Sequence, residues 1–335
     1  MYSIVVPIFN EADTLPELYR RLSAMLNGLD APSELILVDD GSGDGSLALM
    51  RQLAARDRRV KVISFSRNFG HQIAITAGID HAAGEAVVVI DADLQDPPET
   101  IPDLIKAWQG GAELVYAVRA ERIGETFFKR LTASFFYRLI ASMTDLKIPL
   151  DSGDFRLMDR KVVEALKQVR EHHRFMRGLS VWVGFKQAGV PYVRHERFAG
   201  ATKYPLKKMV RFATDGITSF SYVPLQLATT AGFLFAGFAF VAAPVVAVLR
   251  LAGSDFFFGQ ATTLISVLFL GGVQLIFLGI LGEYLGRIYD EVKKRPLYLV
   301  SEKIGFAVEE EKEKKKERKK EKVAPQRARR KEKKK

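Results

Sequence analysis

The first part of the chain alternates short apolar runs with stretches in which apolar residues recur every three or four positions. Ser3–Phe9 is a β-branched run broken by Pro7 and followed by Asn10, and it predicts a buried strand. Leucines at 15, 18, 22, 26 and 29 predict a helix over Glu11–Leu29. Glu34–Val38, Val60–Phe65, Ala86–Ile90 and Glu113–Ala117 are further strand-like runs. Between them Ser46–Arg56, Gln72–Ala83 and Pro98–Trp108 carry helical spacing. This alternation predicts an α/β fold with a mostly parallel sheet and helices on both faces. In such sheets ligands bind beyond the carboxyl ends of the strands. Asp39–Asp40 and Asp91–Asp93 directly follow strands, so they are the first candidates for chemistry.

The pattern then changes. Phe127–Met143 predicts an aromatic-rich helix, Asp151–Leu157 a turn and short extended segment, and Lys161–Val169 another helix. Thr202–Phe220 mixes Lys203, Lys207, Lys208 and Arg211 with Met209, Val210, Phe212, Ile217 and Phe220, which suits a helix lying in a membrane interface. Gly216–Leu249 and Phe256–Gly282 contain no Asp, Glu, Lys or Arg. A span needs about 20 apolar residues, so each stretch is long enough to cross a bilayer. The short link Arg250–Asp255 makes them a hairpin. Basic residues before it and Arg287, Lys293, Lys294 and Arg295 after it place both ends in the cytoplasm. Pro244 lies inside the first span, where a kink is tolerated.

Charge sharpens this division. The net charge of +11 and pI near 9.6 suggest a nucleic-acid binder when taken as averages. However, +8 of it sits in residues 307–335, a stretch with too few apolar residues for a core, which reads as disordered. The absence of cysteine excludes a disulfide framework, a thiolate metal site and a cysteine nucleophile. The N-terminus has neither the basic region nor the apolar length of a signal peptide. The expected organisation is a catalytic domain over 1–200, interfacial helices over 201–223 and a membrane hairpin over 224–287. The hairpin spans are about 224–250 and 261–284. A cytoplasmic segment over 288–306 and the basic tail follow.

Two clusters carry candidate chemistry. Asp91-Ala92-Asp93-Leu94-Gln95 follows an apolar run. Two carboxylates two residues apart, with an amide oxygen beyond, suit a hard cation such as Mg²⁺ or Mn²⁺ that also meets substrate phosphates. Taken alone, the pair is better explained as turn and cap residues. Asp39-Asp40-Gly41-Ser42-Gly43-Asp44-Gly45-Ser46 lacks the spacing of a dinucleotide fingerprint. Its acids suit the N–H and hydroxyl groups of a nucleoside, and Asp44 or Ser46 also suits a helix N-cap. Other residues read more plainly: Trp182 as core, His71 and His81 as core or surface, and His172 and His173 as solvated loop. Glu283 reads as interfacial or paired with Arg287.

Ile4–Glu11, Val38–Ser42 and Asp91–Glu99 together resemble the family 2 glycosyltransferases of GT-A fold. Ser66–Gly70, Thr126, Ser152–Leu157 and Gly200–Lys203 are similar to the polyisoprenyl-phosphate glycosyltransferases within that family. The hairpin and Gly282–Arg287 resemble its bacterial membrane-anchored branch. The resemblance implies that Asp40 contacts the nucleotide base, with Pro7, Asn10, Glu11 and Asp91 in the nucleotide site. It implies that Asp91, Asp93 and Gln95 hold Mg²⁺ or Mn²⁺ and the diphosphate. Asp154 falls at the position of the group's candidate catalytic base, and Asp93 is the second candidate catalytic residue. Arg122, Arg130 and Lys203 fall near positions implicated in binding phosphate or lipid phosphate.

The implied reaction is an inverting transfer of a hexose from a nucleotide sugar, with UDP-glucose favoured, to undecaprenyl or another polyprenyl phosphate. The expected setting is the cytoplasmic face of a bacterial inner membrane. A homo-oligomer, up to a tetramer, and contact with membrane lipid are expected, and nucleic acid is not. Three alternatives compete: transfer of mannose, an N-acetylhexosamine or an aminoarabinose-type sugar; a processive polysaccharide synthase; and a non-enzymatic lipid or nucleic-acid binder driven by the tail. Processive synthases carry Q-x-x-R-W and more spans, and no QxxRW occurs here.

Overall fold

The structure is a computed structural model and describes residues 1–119, 152–194, 218–252 and 260–306. The fold opens with β1 (Tyr2–Ile8), α1 (Leu15–Asn27), β2 (Ser33–Asp39), α2 (Ser46–Arg56) and β3 (Val60–Phe65). It continues with α3 (His71–His81), β4 (Ala86–Val89), a 3-10 turn at Pro98–Thr100, α4 (Ile101–Gln109) and β5 (Leu114–Arg119). After the first undescribed stretch come β6 (Ser152–Asp159), α5 (Arg160–Gln168), α6 (Met176–Trp182) and β7 (Gln187–Tyr192). Two long helices, α7 (Val223–Leu251) and α8 (Gln260–Lys293), precede a last strand, β8 (Val300–Ile304).

One eight-stranded sheet runs in the order β7-β5-β6-β4-β1-β2-β3-β8. β4, β1, β2 and β3 are mutually parallel, as the alternation predicts. Their side chains are buried on both faces, which explains why these strands read as continuous apolar runs rather than alternating ones. Leu15, Leu18, Leu22 and Leu26 put one face of α1 into the core. On the opposite face α3 lies tight against β1: a Cβ on Gly78 would come within 2.1 Å of Val5 Cγ1, so only glycine fits there.

β6 occupies the segment expected to be a turn and short extended piece. It lies between β4 and β5, antiparallel to both. Val89 faces Arg156, so continuing the register sets Asp91 opposite Asp154 at the same sheet edge. Beyond the hairpin, α8 extends to Lys293, and β8 then pairs antiparallel with β3 at the edge of the sheet.

Within α7 and α8, Val223–Leu249 and Thr263–Lys293 are long and apolar enough to cross a membrane, with mean hydropathies of 2.3 and 2.5. Neither window is buried within the chain, and the helices meet lightly, as at the edge-to-face rings of Phe235 and Phe269. Pro244 sits inside α7. Glu283 and Arg287 pair at 3.2 Å, one of the two readings their spacing allows.

The segment between α5 and α6 contacts the C-terminal end of α8. The backbone N–H of His172 donates to Glu291 Oε1 at 2.6 Å, and its ring nitrogens face Glu291 Oε2 and the Arg295 carbonyl. His173 meets Asp290 at 3.1 Å. Tyr298 donates to Asp80 at the end of α3. These histidines are therefore docking residues rather than solvated loop positions.

Candidate active site

The loops that leave β1, β2, β3 and β4 and the chain that enters β6 converge on one sheet edge. On the β1–β2 side, backbone amides build the site. Asn10, at a left-handed φ of 56°, accepts from Gly43 N at 2.8 Å, and its own N–H donates to Ser42 Oγ. Glu11 N donates to Ser46 Oγ and Ala12 N to Asp44. Asp44 also accepts from Ser46 N, so it shapes the loop at the start of α2. Asp39 accepts from Ser42 N and Ser64 Oγ. Asp40 is 2% exposed and accepts from the amides of Phe69 and Gly70 at 2.7–3.2 Å. Burial raises its pKa, and those two amides partly offset the rise. Gly41, at φ +73°, lets the turn pass against the Arg67–Asn68 backbone, where a Cβ would come within 2.6 Å. Pro7 lies buried within β1, opposite Val38.

On the β4–β6 side, cationic and hydroxyl side chains do the same work. Asp154 is almost enclosed, with 7% of its side chain exposed. It receives Arg177 Nε at 3.1 Å and Gln72 Nε2 at 3.2 Å, with Arg156 at 3.6 Å. Burial alone would raise its pKa, but Arg177, His71 and Arg156 outweigh that and hold the carboxyl well below the usual range.

His71 Nε2 lies 3.4 Å from both Asp154 Oδ2 and Asp91 Oδ1. Burial would lower its pKa, but bonding to Asp154 and the charges of both carboxylates raise it to about 9. Asp91 goes the other way: burial pushes it up to about 6, against the pull of His71 and with help from the neighbouring acids. Its Oδ1 is buried and makes no hydrogen bond. Asp93 accepts from Gln95 N, and Gln95 Oε1 accepts from Arg194 at 2.6 Å. Asp96, 2% exposed, accepts from the Tyr192 hydroxyl.

The structure thus gathers Asn10, Glu11, Asp40, Asp91, Asp93, Gln95 and Asp154 at one edge. Arg122, Arg130 and Lys203 lie outside the described residues. His71, Gln72, Arg156, Arg177 and Arg194 are residues that sequence reasoning did not assign to the site. One signal for His71 was available, since it follows Ser66–Gly70 on the loop leaving β3, at the ligand edge of the sheet. Trp182, predicted as core from its apolar neighbours, is instead 58% exposed at the end of α6.

The site thus lies where acidic loops leave a mostly parallel sheet, in a chain that also carries two long apolar helices. The family described as Glycosyl transferase family 2 matches residues 3–167. The uncharacterised glycosyltransferase YkcC of Bacillus subtilis (strain 168) is 54% identical over 91% of this chain and 94% of that protein. The SfII prophage-derived bactoprenol glucosyl transferase of Shigella flexneri is 44% identical over 90% and 97%. The prophage bactoprenol glucosyl transferase homolog of Escherichia coli (strain K12) is 43% identical over 89% and 97%. Among solved structures, a glucosyl-3-phosphoglycerate synthase from Mycobacterium tuberculosis shows a distant likeness at 21% identity and TM-score 0.48, covering 65% of this chain and 77% of that one. The chain belongs to glycosyl transferase family 2 and is an enzyme that transfers a sugar from a nucleotide sugar.

Proposed function

We propose that this enzyme transfers glucose from UDP-glucose to polyprenyl phosphate at a membrane surface, with inversion at the anomeric carbon. The observation that carries this reading is the 43–44% identity, over about nine-tenths of the chain, to proteins named bactoprenol glucosyl transferases. The two membrane-length helices and the fit of the site support it. In this reading Asn10, Glu11 and Asp40 frame the nucleoside together with Pro7 and Asp91. Both chain ends face the cytoplasm, where nucleotide sugars are found.

The oxygen-only donors Asp91 and Asp93 fit Mg²⁺ or Mn²⁺, and Asp91 Oδ1, which makes no hydrogen bond and has only the His71 ring at 3.4 Å, offers such an ion a ligand. Among the described residues no cluster of three His, Cys, Asp or Glu side chains surrounds a cation, so other ligands would come from the diphosphate, water or Gln95. When bound, the ion would offset charge on the departing nucleoside diphosphate.

The acceptor's second phosphate pKa is about 6, so it arrives largely dianionic at neutral pH. Its oxygen can attack without first losing a proton. Asp154, held ionised by Arg177 and His71, is then an orienting group rather than a base. A panel of nucleotide sugars tests the reading, with undecaprenyl phosphate, Mg²⁺ or Mn²⁺, and lipid-phase label as readout. Label from UDP-glucose above the other donors is expected. No transfer from any donor would overturn it.

A further inference from the structure

α6 joins the site to the membrane end of the hairpin. Its Arg177 holds Asp154. Its Gly178 faces the residue three before α7: a Cβ there would come within 2.5 Å of the Phe220 ring. Phe175, just before α6, packs edge-to-face on the same ring at 6.2 Å. The Ser219–Tyr222 segment is fixed in place as well. Ser221 O accepts from the Tyr284 hydroxyl at 2.7 Å, and Ser219 Oγ meets Arg287. The Phe220 contact therefore sits level with Tyr284, where α8 gains its first charges. Trp182 lies one helical turn beyond Gly178 on the same face. It is 58% exposed, and Tyr222, beside the start of α7, is 74% exposed. The other tryptophan, Trp108, is tied down by a 2.7 Å bond from its Nε1–H to Asp159.

We infer that Trp182 and Tyr222 form an interfacial anchor that seats the α6 end of the catalytic domain in the headgroup layer of the bilayer. The partner is the lipid interface itself. An indole with an apolar body and a polar N–H prefers that layer to water or hydrocarbon. The contact is continuous with the spans through Phe220, and no charged side chain of α6 lies beyond Arg177. The anchor also explains why a short helix carries an exposed tryptophan five residues from a residue that holds the site. Five residues of helix rise about 7.5 Å, so the anchor and the residue that holds Asp154 share one short helix.

The test uses intrinsic fluorescence of the full chain reconstituted in vesicles. Trp108→Phe leaves Trp182 as the sole tryptophan. If that variant folds poorly, the difference spectrum between wild type and Trp182→Phe gives the same readout. The expected result is strong quenching by phospholipids brominated close to the headgroup, weaker quenching by those brominated near the chain ends, and little by aqueous iodide. Iodide quenching without bromolipid quenching would place Trp182 in water and overturn the inference. Resistance to both would mean that protein covers it, such as a second copy of the chain, and would also overturn it. The readout needs no substrate, so its failure is distinct from failure of the proposed reaction. Trp182→Ala is expected to slow transfer to membrane-embedded acceptor while leaving UDP-glucose binding unchanged.

Discussion

The two halves of the site satisfy their acids in different ways. On the β1–β2 side Asp39, Asp40 and Asp44 bond mainly to backbone amides and to serine hydroxyls. These bonds fix loop shape and leave little to rearrange. On the β4–β6 side Asp154, Asp96 and Gln95 bond to side chains from distant segments, and Asp91 keeps a buried oxygen without a hydrogen bond. Side-chain partners can turn or exchange when a phosphate or cation enters, whereas backbone amides cannot. In the proposed reaction the first half is then a preformed nucleoside cradle, and the second holds the groups that meet changing charge.

Substitutions should separate the halves. The largest effect is expected from Asp93→Ala, which should cut turnover by about 10³-fold with the circular dichroism spectrum unchanged. Normal turnover in that variant would remove the second half from the chemistry. Asp154→Asn should cost about 10²-fold through misplacement of the acceptor. Raising the pH should not restore it. The native pKa of Asp154 is depressed, so its stabilising contribution is complete above its unfolded value near 3.9 and fades only as pH falls through the native value. A wild-type rate limb near neutral pH that vanished in Asp154→Asn would instead make Asp154 a base.

Asp40→Asn should act on the cradle. Losing a charged acceptor for the Phe69 and Gly70 amides should cost about 1–2 kcal/mol in thermal or urea unfolding. It should raise the donor KM more than it lowers kcat. The reverse pattern would break the division between halves.

A smaller effect concerns His71, whose pKa is raised to about 9. A raised histidine stabilises fully below its unfolded pKa, about 6.5, and loses that contribution as pH rises through about 9. Melting temperatures of the metal-free protein should therefore fall over that window in the wild type and less in His71→Asn. The smallest effect is expected from removing residues 307–335, which should leave turnover intact. Loss of turnover on that deletion would give the tail a part in the reaction.

Local physics made much of the fold legible. Ser46–Arg56 and Val60–Phe65 form at their predicted bounds, because period and flanking turns agree there. β6 was harder, since its place depends on β4 and β5, which come from elsewhere in the chain. β8 has the alternating burial of an edge strand and too few apolar residues to announce itself. Within the site, the acids could be found from their place after strands. Their partners could not: Gln72, Arg177 and Arg194 lie 82, 23 and 99 residues from the groups they hold. Trp182 failed as a core expectation because neighbouring apolar residues cannot tell a core from a lipid interface.

The most direct test of the central claim is label transfer from UDP-glucose into undecaprenyl phosphate, measured side by side for wild type and Asp93→Ala with Mg²⁺ or Mn²⁺ present. The account predicts extractable lipid-linked glucose with wild type and almost none with the variant. Equal label in both, or none in wild type with any nucleotide sugar, would contradict it.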